Sequence, residues 1–289
     1  MVLHGLTLQN SAKPKNYMAY TKKWISVKTM PYASNQGVRI HYEVEGNGPP
    51  LVLVQGLTAY LELWYELGYV DSLKEDYRLI PMDIRGHGGS DKPHDPEAYR
   101  LELLAADVVA VMDDLKISKA HYLGYSLGGL IAFGLANYSP QRFHSFIIGG
   151  AHPFEIMTQD EVCWWLQLLE KGNDAVEKLY VESFEKSGLK MTPEMKARLL
   201  ANDTKALSAL VLASEWRANL EYALPHMTMP CLFFVGEADE GYAGARKCAN
   251  LLPNAEFVSF PGLGHFEVAL QSHLVLPHIT KFLEKVRQS

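Results

Sequence analysis

The chain has 289 residues, of which 48% are hydrophobic and 21% charged, as in an ordinary globular protein of one or two domains. The formal net charge of −6 gives no reason to expect nucleic acid or an anionic membrane surface as a partner. No apolar stretch approaches the length of a transmembrane helix, and the N-terminus lacks the apolar region of a signal peptide. We therefore expect a protein without a membrane span.

Cysteine and histidine usage gives no indication of a metal site. The three cysteines have no metal-type spacing, and such an odd, sparse count is typical of a reducing compartment. We therefore predict a cytoplasmic protein, in which Cys231 is a small buried residue of a strand. Four histidines also lack the spacing of metal ligands: His87, His94, His121 and His152. No metal and no other cofactor is predicted.

Residues 1–23 differ from the rest of the chain. They contain four lysines and no acidic residue, and the first acid of the chain is Glu43. Such a segment is either a basic arm that meets an acidic partner or a loosely packed N-terminal extension. We predict the extension, because little in the segment is periodic.

Strand and helix patterns alternate through most of the remaining chain. Residues 24–29 and 38–44 are predicted to form an antiparallel pair, and the turn at residues 46–50 follows. Further strands are predicted at residues 51–54, 77–82, 120–123, 145–148, 232–235 and 256–260. Helices are predicted at residues 61–74, 97–115, 130–136, 243–252 and 267–286. This alternation predicts an α/β fold with a mostly parallel eight-stranded sheet and helices on both faces.

Residues 153–226 interrupt the alternation with helical patterns alone. Helices are predicted here at residues 158–171, 174–186, 192–201 and 204–220. Thr158, with Glu161 three residues later, is a plausible N-terminal cap for the first of them. An insertion between two strands is expected to lie over the strand ends as a lid. We therefore divide the chain into a core, residues 24–152 and 227–289, and a helical cap, residues 153–226.

Residues 124–129, Gly-Tyr-Ser-Leu-Gly-Gly, form a G-x-S-x-G pattern between a predicted buried strand and a predicted helix. In such a turn the serine takes a strained backbone conformation, and the glycines let strand and helix pass closely. The strain presents the hydroxyl of Ser126 at the edge of the sheet, where the first N–H groups of the helix also point. Ser126 is therefore a candidate nucleophile.

A serine hydroxyl needs a nearby base and a group that orients that base. His265 follows the last predicted strand in a glycine-rich loop, and Asp239 follows the strand before it. Loops at the carboxyl ends of parallel strands meet at one edge of the sheet, so these side chains are expected to converge with Ser126. Glu237 and Glu240 are the alternatives to Asp239 as the partner of the imidazole.

With these motifs the chain resembles the α/β-hydrolase superfamily, from about residue 24 to the C-terminus. The resemblance rests on residues 83–90, 124–129, 236–239 and 261–265. It looks most like the esterase, haloperoxidase-like and lactonase branch, whose members carry a small helical cap. The resemblance implies a catalytic triad of Ser126, Asp239 and His265.

The resemblance also implies an oxyanion hole made by two backbone N–H groups, those of Leu57 and Leu127. Gln55 stands where the family usually has histidine in the loop before Leu57. Because the donor is a backbone group, the hole is expected to survive this replacement.

Two further groups of residues are candidates for a role in the site. Asp83, Arg85 and His87 could form a second acid–base site, but we predict that they brace the loop that follows their strand. Large aromatic residues in the cap and in the loop before it predict a pocket for an apolar or aromatic acyl or alcohol group. The candidate substrate-binding residues are Tyr60, Trp64, Tyr125, Trp164, Trp165 and Trp216.

These patterns predict a cofactor-free serine hydrolase of a carboxylic ester, a lactone or a related small acyl compound. Relatives that hydrolyse epoxides or carbon–halogen bonds carry aspartate at the turn, whereas this chain has Ser126. Hydrolysis of a carbon–carbon bond, peracid formation and aminopeptidase activity stay open with a serine nucleophile. The alternative of another class is a ligand-binding receptor on an inactive hydrolase fold. The sequence indicates no particular oligomeric state.

Overall fold

The computed structural model describes residues 31–154, 157–213 and 219–288. The segment 1–23, the predicted strand at residues 24–29 and Trp216 lie outside the described residues. Predictions about them therefore stay predictions.

The described chain begins with a β-hairpin. Strands β1 (Tyr32–Asn35) and β2 (Val38–His41) pair antiparallel. The two residues between them, Gln36 and Gly37, have φ values of 50° and 84°, the geometry that matches the twist of a two-residue hairpin. Strand β2 corresponds to the predicted strand at residues 38–44, and among the described residues its antiparallel partner is β1.

Six parallel strands form the main sheet, in the order β4-β3-β5-β6-β7-β8. They are β3 (Pro50–Val54), β4 (Arg78–Met82), β5 (Ala120–Tyr125), β6 (Phe143–Gly149), β7 (Cys231–Gly236) and β8 (Ala255–Phe260). The predicted eight-stranded sheet is wrong for the described residues, because β1 and β2 form a separate sheet. In the part of the chain that the structure describes, two isolated antiparallel bridges, Tyr42 with Met82 and Glu45 with Leu79, join the chain after β2 to the edge strand β4.

Helices cover both faces of this sheet. They are α1 (Leu63–Glu66), α2 (Tyr69–Leu73), α3 (Leu101–Asp114), α4 (Leu127–Tyr138), α5 (Gln159–Glu170), α6 (Asn173–Lys186), α7 (Pro193–Leu200), α8 (Thr204–Leu212), α9 (Tyr242–Leu251), α10 (His265–Leu270) and α11 (Ser272–Gln288). Along β3, Val52 and Val54 pack into one apolar cluster with α3 and α4, whereas Leu51 and Leu53 pack into the other with α2 and α11. This is why the central strands are apolar on both faces.

Two of the predicted helices are interrupted in the structure. The helix expected at residues 61–74 is α1 and α2, because Gly68 between them has a φ of 78°, in the left-handed region. The helix expected at residues 267–286 is α10 and α11, with Gln271 outside helical geometry between them. Apolar spacing continues through both breaks, so the sequence pattern does not show them.

Helices α5–α8 and the turns that join them lie between β6 and β7, and we call this segment the cap. The first begins as expected, with Thr158 and Glu161 forming a reciprocal capping box. Helix α8 ends at Leu212 rather than at residue 220, and residues 214–218 lie outside the described part of the chain. Among the described helices, none is long and apolar enough to cross a lipid bilayer.

Candidate active site

Ser126 occupies a tight bend between β5 and α4. Its backbone has φ 53° and ψ −113°, and its N–H donates to the Gly149 carbonyl at 2.8 Å. A Cβ atom on Gly124 would lie 2.3 Å from the Gly128 carbonyl oxygen, and one on Gly128 would lie 2.1 Å from that of Val54. The bend therefore needs glycine at both positions, and it presents the Ser126 hydroxyl at the carboxyl edge of the sheet.

His265 and Asp239 converge on this hydroxyl from two neighbouring strand ends. The Nε2 atom of His265 lies 2.9 Å from Ser126 Oγ, and its Nδ1 atom lies 2.8 Å from Asp239 Oδ2. Because a carboxylate only accepts, Nδ1–H donates to Asp239, which leaves the Nε2 lone pair free to accept from the serine O–H. The structure thus brings together the three residues predicted as a catalytic triad.

The position of the imidazole is fixed by its surroundings. The hydroxyl of Tyr125 donates to the backbone carbonyl of His265, which ties the histidine loop to β5. Gly150 has a φ of 56°, and a Cβ there would lie 3.0 Å from Cε1 of the His265 ring. The ring therefore packs directly on the backbone after β6.

The carboxyl of Asp239 remains ionised although it is largely buried. Burial by itself would raise its pKa, but the hydrogen bond from His265 and the N–H of Gly241, 2.8 Å from Oδ1, outweigh burial and lower the pKa below the ordinary carboxyl value. A carboxylate in this state can hold the imidazole in one tautomer and stabilise its protonated form.

The neighbouring acids make different contacts. Glu237 is exposed, its Oε1 accepts from the Ser259 hydroxyl at 2.9 Å, and neither residue lines the cavity described below. Glu240 is exposed at the rim of the cavity described below. Of the three candidates, the structure places only Asp239 against the imidazole.

The loop after β3, residues 55–61, packs against the serine. A Cβ on Gly56 would lie 3.0 Å from Ser126 Cβ and 3.5 Å from Oγ, so a larger residue here would press on the serine side chain. Leu57 follows in this loop, and Leu127 is the first residue of α4, whose N–H has no acceptor within its own helix. Gln55, Leu57 and Leu127 all line the same cavity as Ser126.

Asp83, Arg85 and His87 were predicted to brace the loop after their own strand β4, and Asp83 does so, since its Oδ2 accepts from the Gly89 N–H at 2.9 Å. The same loop also braces the β3 loop, which was not predicted. Asp83 Oδ1 accepts from the Leu61 N–H at 2.8 Å, and His87 Nε2 accepts from the Thr58 N–H at 3.1 Å. Burial lowers the pKa of His87 to about 4, so its ring is neutral and Nε2 can act as an acceptor. The contact to Thr58 spans 29 residues of sequence, and no local motif indicates it.

Arg85 and Asp107 form a buried ion pair next to this loop. The Arg85 Nε and Nη2 atoms donate to the two carboxylate oxygens of Asp107 at 2.7 and 2.6 Å. Neither side chain lines the cavity described below, and Arg85 Nη1 also donates to the Ala98 carbonyl at 2.7 Å. A second acid–base site at these residues is therefore not what the structure shows.

A cavity of about 730 Å³ lies between the core and the cap, with Ser126, His265 and Asp239 in its wall. Tyr125, Trp164 and Trp165, three of the predicted substrate-binding residues, line it. Several other lining residues were not among the predicted substrate-binding residues, and they come from four separate parts of the chain: His152, Met157, Tyr180, Phe266 and Leu270. The described wall is mostly apolar.

Two of the predicted substrate-binding residues are placed elsewhere. Tyr60 is buried, its hydroxyl donates to Glu66 at 3.0 Å, and the Arg198 guanidinium lies 5.6 Å from its ring centre. Trp64 is buried against Tyr69 in an edge-to-face contact at 4.9 Å. Neither residue lines the described cavity, because both turn into the contact between α1, α2 and the cap. This corrects the expectation that they face the substrate.

The charges in the described cavity wall are all of one sign. Glu161, Asp239 and Glu240 contribute carboxylates, and none of the described lining residues is a lysine or arginine. The other ionisable lining groups include His152, whose pKa is lowered by burial. No group of three or more potential metal ligands occurs among the described residues.

A family model described as "alpha/beta hydrolase fold" matches residues 49–229, and the chain belongs to this family. The 3-oxoadipate enol-lactonase 1 of Acinetobacter baylyi is 27% identical over 236 residues, which cover 74% of this chain and 80% of that protein. Epoxide hydrolase 4 of Mus musculus is 35% identical over 116 residues, 39% of this chain and 32% of that protein. The second match therefore spans only about a third of the relative's length.

Among solved structures, the enol-lactonase from Burkholderia xenovorans LB400 superimposes with a TM-score of 0.78. The two proteins share 24% sequence identity, and the match covers 88% of this chain and 100% of that one. This likeness shows the same fold.

Proposed function

We propose that the protein is a serine hydrolase that cleaves carboxylic ester or lactone bonds through an acyl-enzyme intermediate. One observation carries the proposal: Ser126, His265 and Asp239 form a continuous hydrogen-bonded series, with separations of 2.9 and 2.8 Å, inside a cavity of substrate size. Membership of the hydrolase family and the similarity to an enol-lactonase support it.

In this mechanism Ser126 Oγ attacks the carbonyl carbon of the substrate while His265 Nε2 takes the hydroxyl proton. Asp239 stabilises the imidazolium that forms. The N–H groups of Leu57 and Leu127 donate to the oxyanion of the tetrahedral intermediate. His265 then protonates the leaving alcohol, and water activated by the same ring hydrolyses the acyl-enzyme.

The residue in the tight bend between β5 and α4 distinguishes the proposed reaction from that of the epoxide hydrolase relatives. An epoxide carbon is opened by a carboxylate nucleophile, and this chain has a serine hydroxyl at that point. A serine hydroxyl activated by an imidazole is instead suited to an acyl carbon, whose oxygen becomes an oxyanion.

The cavity indicates the kind of acyl compound. Trp164, Trp165 and Phe266 give the wall aromatic surface, which favours an apolar or aromatic acyl or alcohol group. Three carboxylates without a described cation in the wall disfavour a substrate that carries its own carboxylate. We therefore propose an uncharged ester or lactone as the substrate.

The test compares Ser126→Ala with the wild type on a panel of p-nitrophenyl esters and lactones. We expect the variant to lose about 10⁶ in turnover, as when a triad serine is removed. Ser259→Ala is the matched control, because its hydroxyl contacts Glu237 outside the cavity, and it should keep wild-type turnover. Near-normal activity of Ser126→Ala would exclude the proposal, and an inactive wild type across the panel would favour a ligand-binding role.

A further inference from the structure

We propose that Asn202 and Tyr180 of the cap are positioning residues for the β3 loop, and that they act through Thr58. This inference rests on the proposed function, in which the N–H of Leu57 donates to the oxyanion. The cap would then do more than cover the substrate, since its docked position would hold half of the oxyanion hole in place.

Thr58 has an unusual backbone conformation. Its φ of 68° lies in the left-handed region, which residues with a branched Cβ rarely adopt. Such a conformation persists only where surrounding contacts hold it. Thr58 is bonded directly to Leu57, so a change at Thr58 reorients the peptide groups of the β3 loop.

Contacts from both the core and the cap hold Thr58. From the core, His87 Nε2 accepts from its N–H at 3.1 Å. From the cap, the Asn202 Nδ2 donates to its carbonyl oxygen at 2.9 Å, and the Tyr180 hydroxyl lies 3.1 Å from its Oγ1. Every polar group of Thr58 thus has a partner, and two of these partners, Asn202 and Tyr180, belong to the cap.

Asn202 is itself held by the corner between α7 and α8. The Nδ2 atom of Asn173 donates to the carbonyl oxygens of both Leu200 and Asn202, each at 2.8 Å. The amide that reaches Thr58 is therefore fixed to the body of the cap. A shift of this corner away from the core would break the contact at 2.9 Å.

Tyr180 connects the β3 loop to the histidine side of the cavity. It is buried on α6, and its ring makes an edge-to-face contact with Phe266 at 5.6 Å, beside His265. Burial raises the pKa of Tyr180 to about 12, so its hydroxyl keeps its proton. With Thr58 Oγ1–H donating to the Leu57 carbonyl at 2.5 Å, the remaining acceptor site on Oγ1 takes the Tyr180 proton.

The structure therefore predicts an effect on turnover more than on binding. Removing an oxyanion donor costs about 10²–10³ in turnover, and misplacing one costs part of that. We expect Asn202→Ala to lower kcat about tenfold with little change in KM, and Asn202→Ala with Tyr180→Phe to lower it further.

The experiment measures kcat and KM for a neutral p-nitrophenyl ester, together with the inhibition constant of phenylboronic acid. The boronate forms a tetrahedral adduct with a reactive serine, so its affinity reports the oxyanion hole. In Asn202→Ala the boronate affinity should fall in parallel with kcat, while the melting temperature stays close to that of the wild type. Asn254→Ala is the matched control, because it removes an equivalent bond to a backbone carbonyl, that of Thr228, outside the cavity.

Two results would overturn the inference. Wild-type kcat and boronate affinity in both cap variants would show that the β3 loop does not depend on the cap. A raised KM with unchanged kcat would show that these residues only bind substrate. If Ser126→Ala retained activity, the proposed function itself would fail, so the two failures are distinguishable.

Discussion

Positive φ angles at non-glycine residues mark the two loops that meet at the candidate nucleophile. Within the described part of the chain four such residues occur, and Gln36 and Lys116 lie in simple turns. Thr58 and Ser126 instead lie in the β3 loop and in the bend after β5. Conformations of this kind cost on the order of 1–3 kcal/mol each and concentrate at functional sites.

Asp239 is the residue whose role is most easily separated from that of its neighbours. Asp239→Asn should lower kcat for a neutral ester by about 10⁴. An amide N–H can donate to Nδ1 and so favour the tautomer in which Nε2 carries the proton, and a neutral amide does not stabilise the imidazolium. Glu237→Gln and Glu240→Gln are the controls and should keep near wild-type kcat. A loss in either control as large as that in Asp239→Asn would contradict the assignment.

Single residues were predictable from the sequence where a short motif carries them. Ser126 and His265 lie in glycine-rich turns after predicted strands. Loops that follow parallel strands lie at the same edge of the sheet, so the two side chains could be expected to meet. The contacts of Thr58 to His87 and to Asn202 span 29 and 144 residues, and no local pattern reports such pairings. Tyr60 was placed wrongly because sequence spacing does not say which way a loop side chain turns.

The secondary structure elements follow the alternating pattern of the sequence, with errors at their ends. Apolar spacing identified all six strands of the main sheet and the four cap helices. It did not show the break at Gly68, because α1 and α2 both bury apolar residues against the same cluster. The number of strands in one sheet depends on pairing between distant segments, which periodicity does not report.

Two buried histidines in the β4 loop and in β5 predict how stability depends on pH. Burial lowers the pKa of both His87 and His121 to about 4, below their ordinary value of about 6.5. Below pH 6.5 the unfolded chain therefore binds protons that the folded protein does not. Their contribution to stability is present at neutral pH and is lost as the pH falls from about 6.5 toward 4.

The size of this effect can be measured by urea unfolding at pH 7.5 and pH 5. Each histidine should cost roughly 2 kcal/mol of unfolding free energy over this interval, since one pKa unit corresponds to about 1.4 kcal/mol. His121→Asn keeps a polar group beside Ser145 and lies far from the cavity, so it isolates one histidine. An equal loss of stability on acidification in His121→Asn and in the wild type would contradict the prediction.

At the scale of the whole molecule, the cavity exists only because the cap docks on the core. Arg198 of α7 donates to Glu66 of α1 at 2.5 Å and lies over the ring of Tyr60. The ion pair of Arg198 with Glu66 and the contacts of Asn202 and Tyr180 to Thr58 hold the cap beside the β3 loop. The cap thereby closes the apolar side of the cavity over Ser126.

The charge of the cavity predicts which substrates the molecule takes. We expect p-nitrophenyl butyrate to be hydrolysed with a kcat/KM at least about tenfold above that of the p-nitrophenyl monoester of succinic acid, which has the same acyl length. The carboxylates of Glu161 and Glu240 repel the free carboxylate of the second ester. Glu240 is exposed to solvent, so salt screens its carboxylate. Added salt and Glu240→Gln should therefore both reduce the difference in kcat/KM between the two esters. A preference for the anionic ester would contradict the proposed substrate class.

Every step of the proposed reaction depends on Ser126 being the nucleophile, and a covalent probe tests this most directly. The folded protein is treated with a fluorophosphonate, digested, and examined by mass spectrometry, with ester turnover measured on the same sample. We predict one adduct per chain, on the peptide that contains Ser126, with turnover lost in proportion and no adduct in Ser126→Ala. Folded protein that hydrolyses esters without forming this adduct, or that carries it on another residue, would contradict the account.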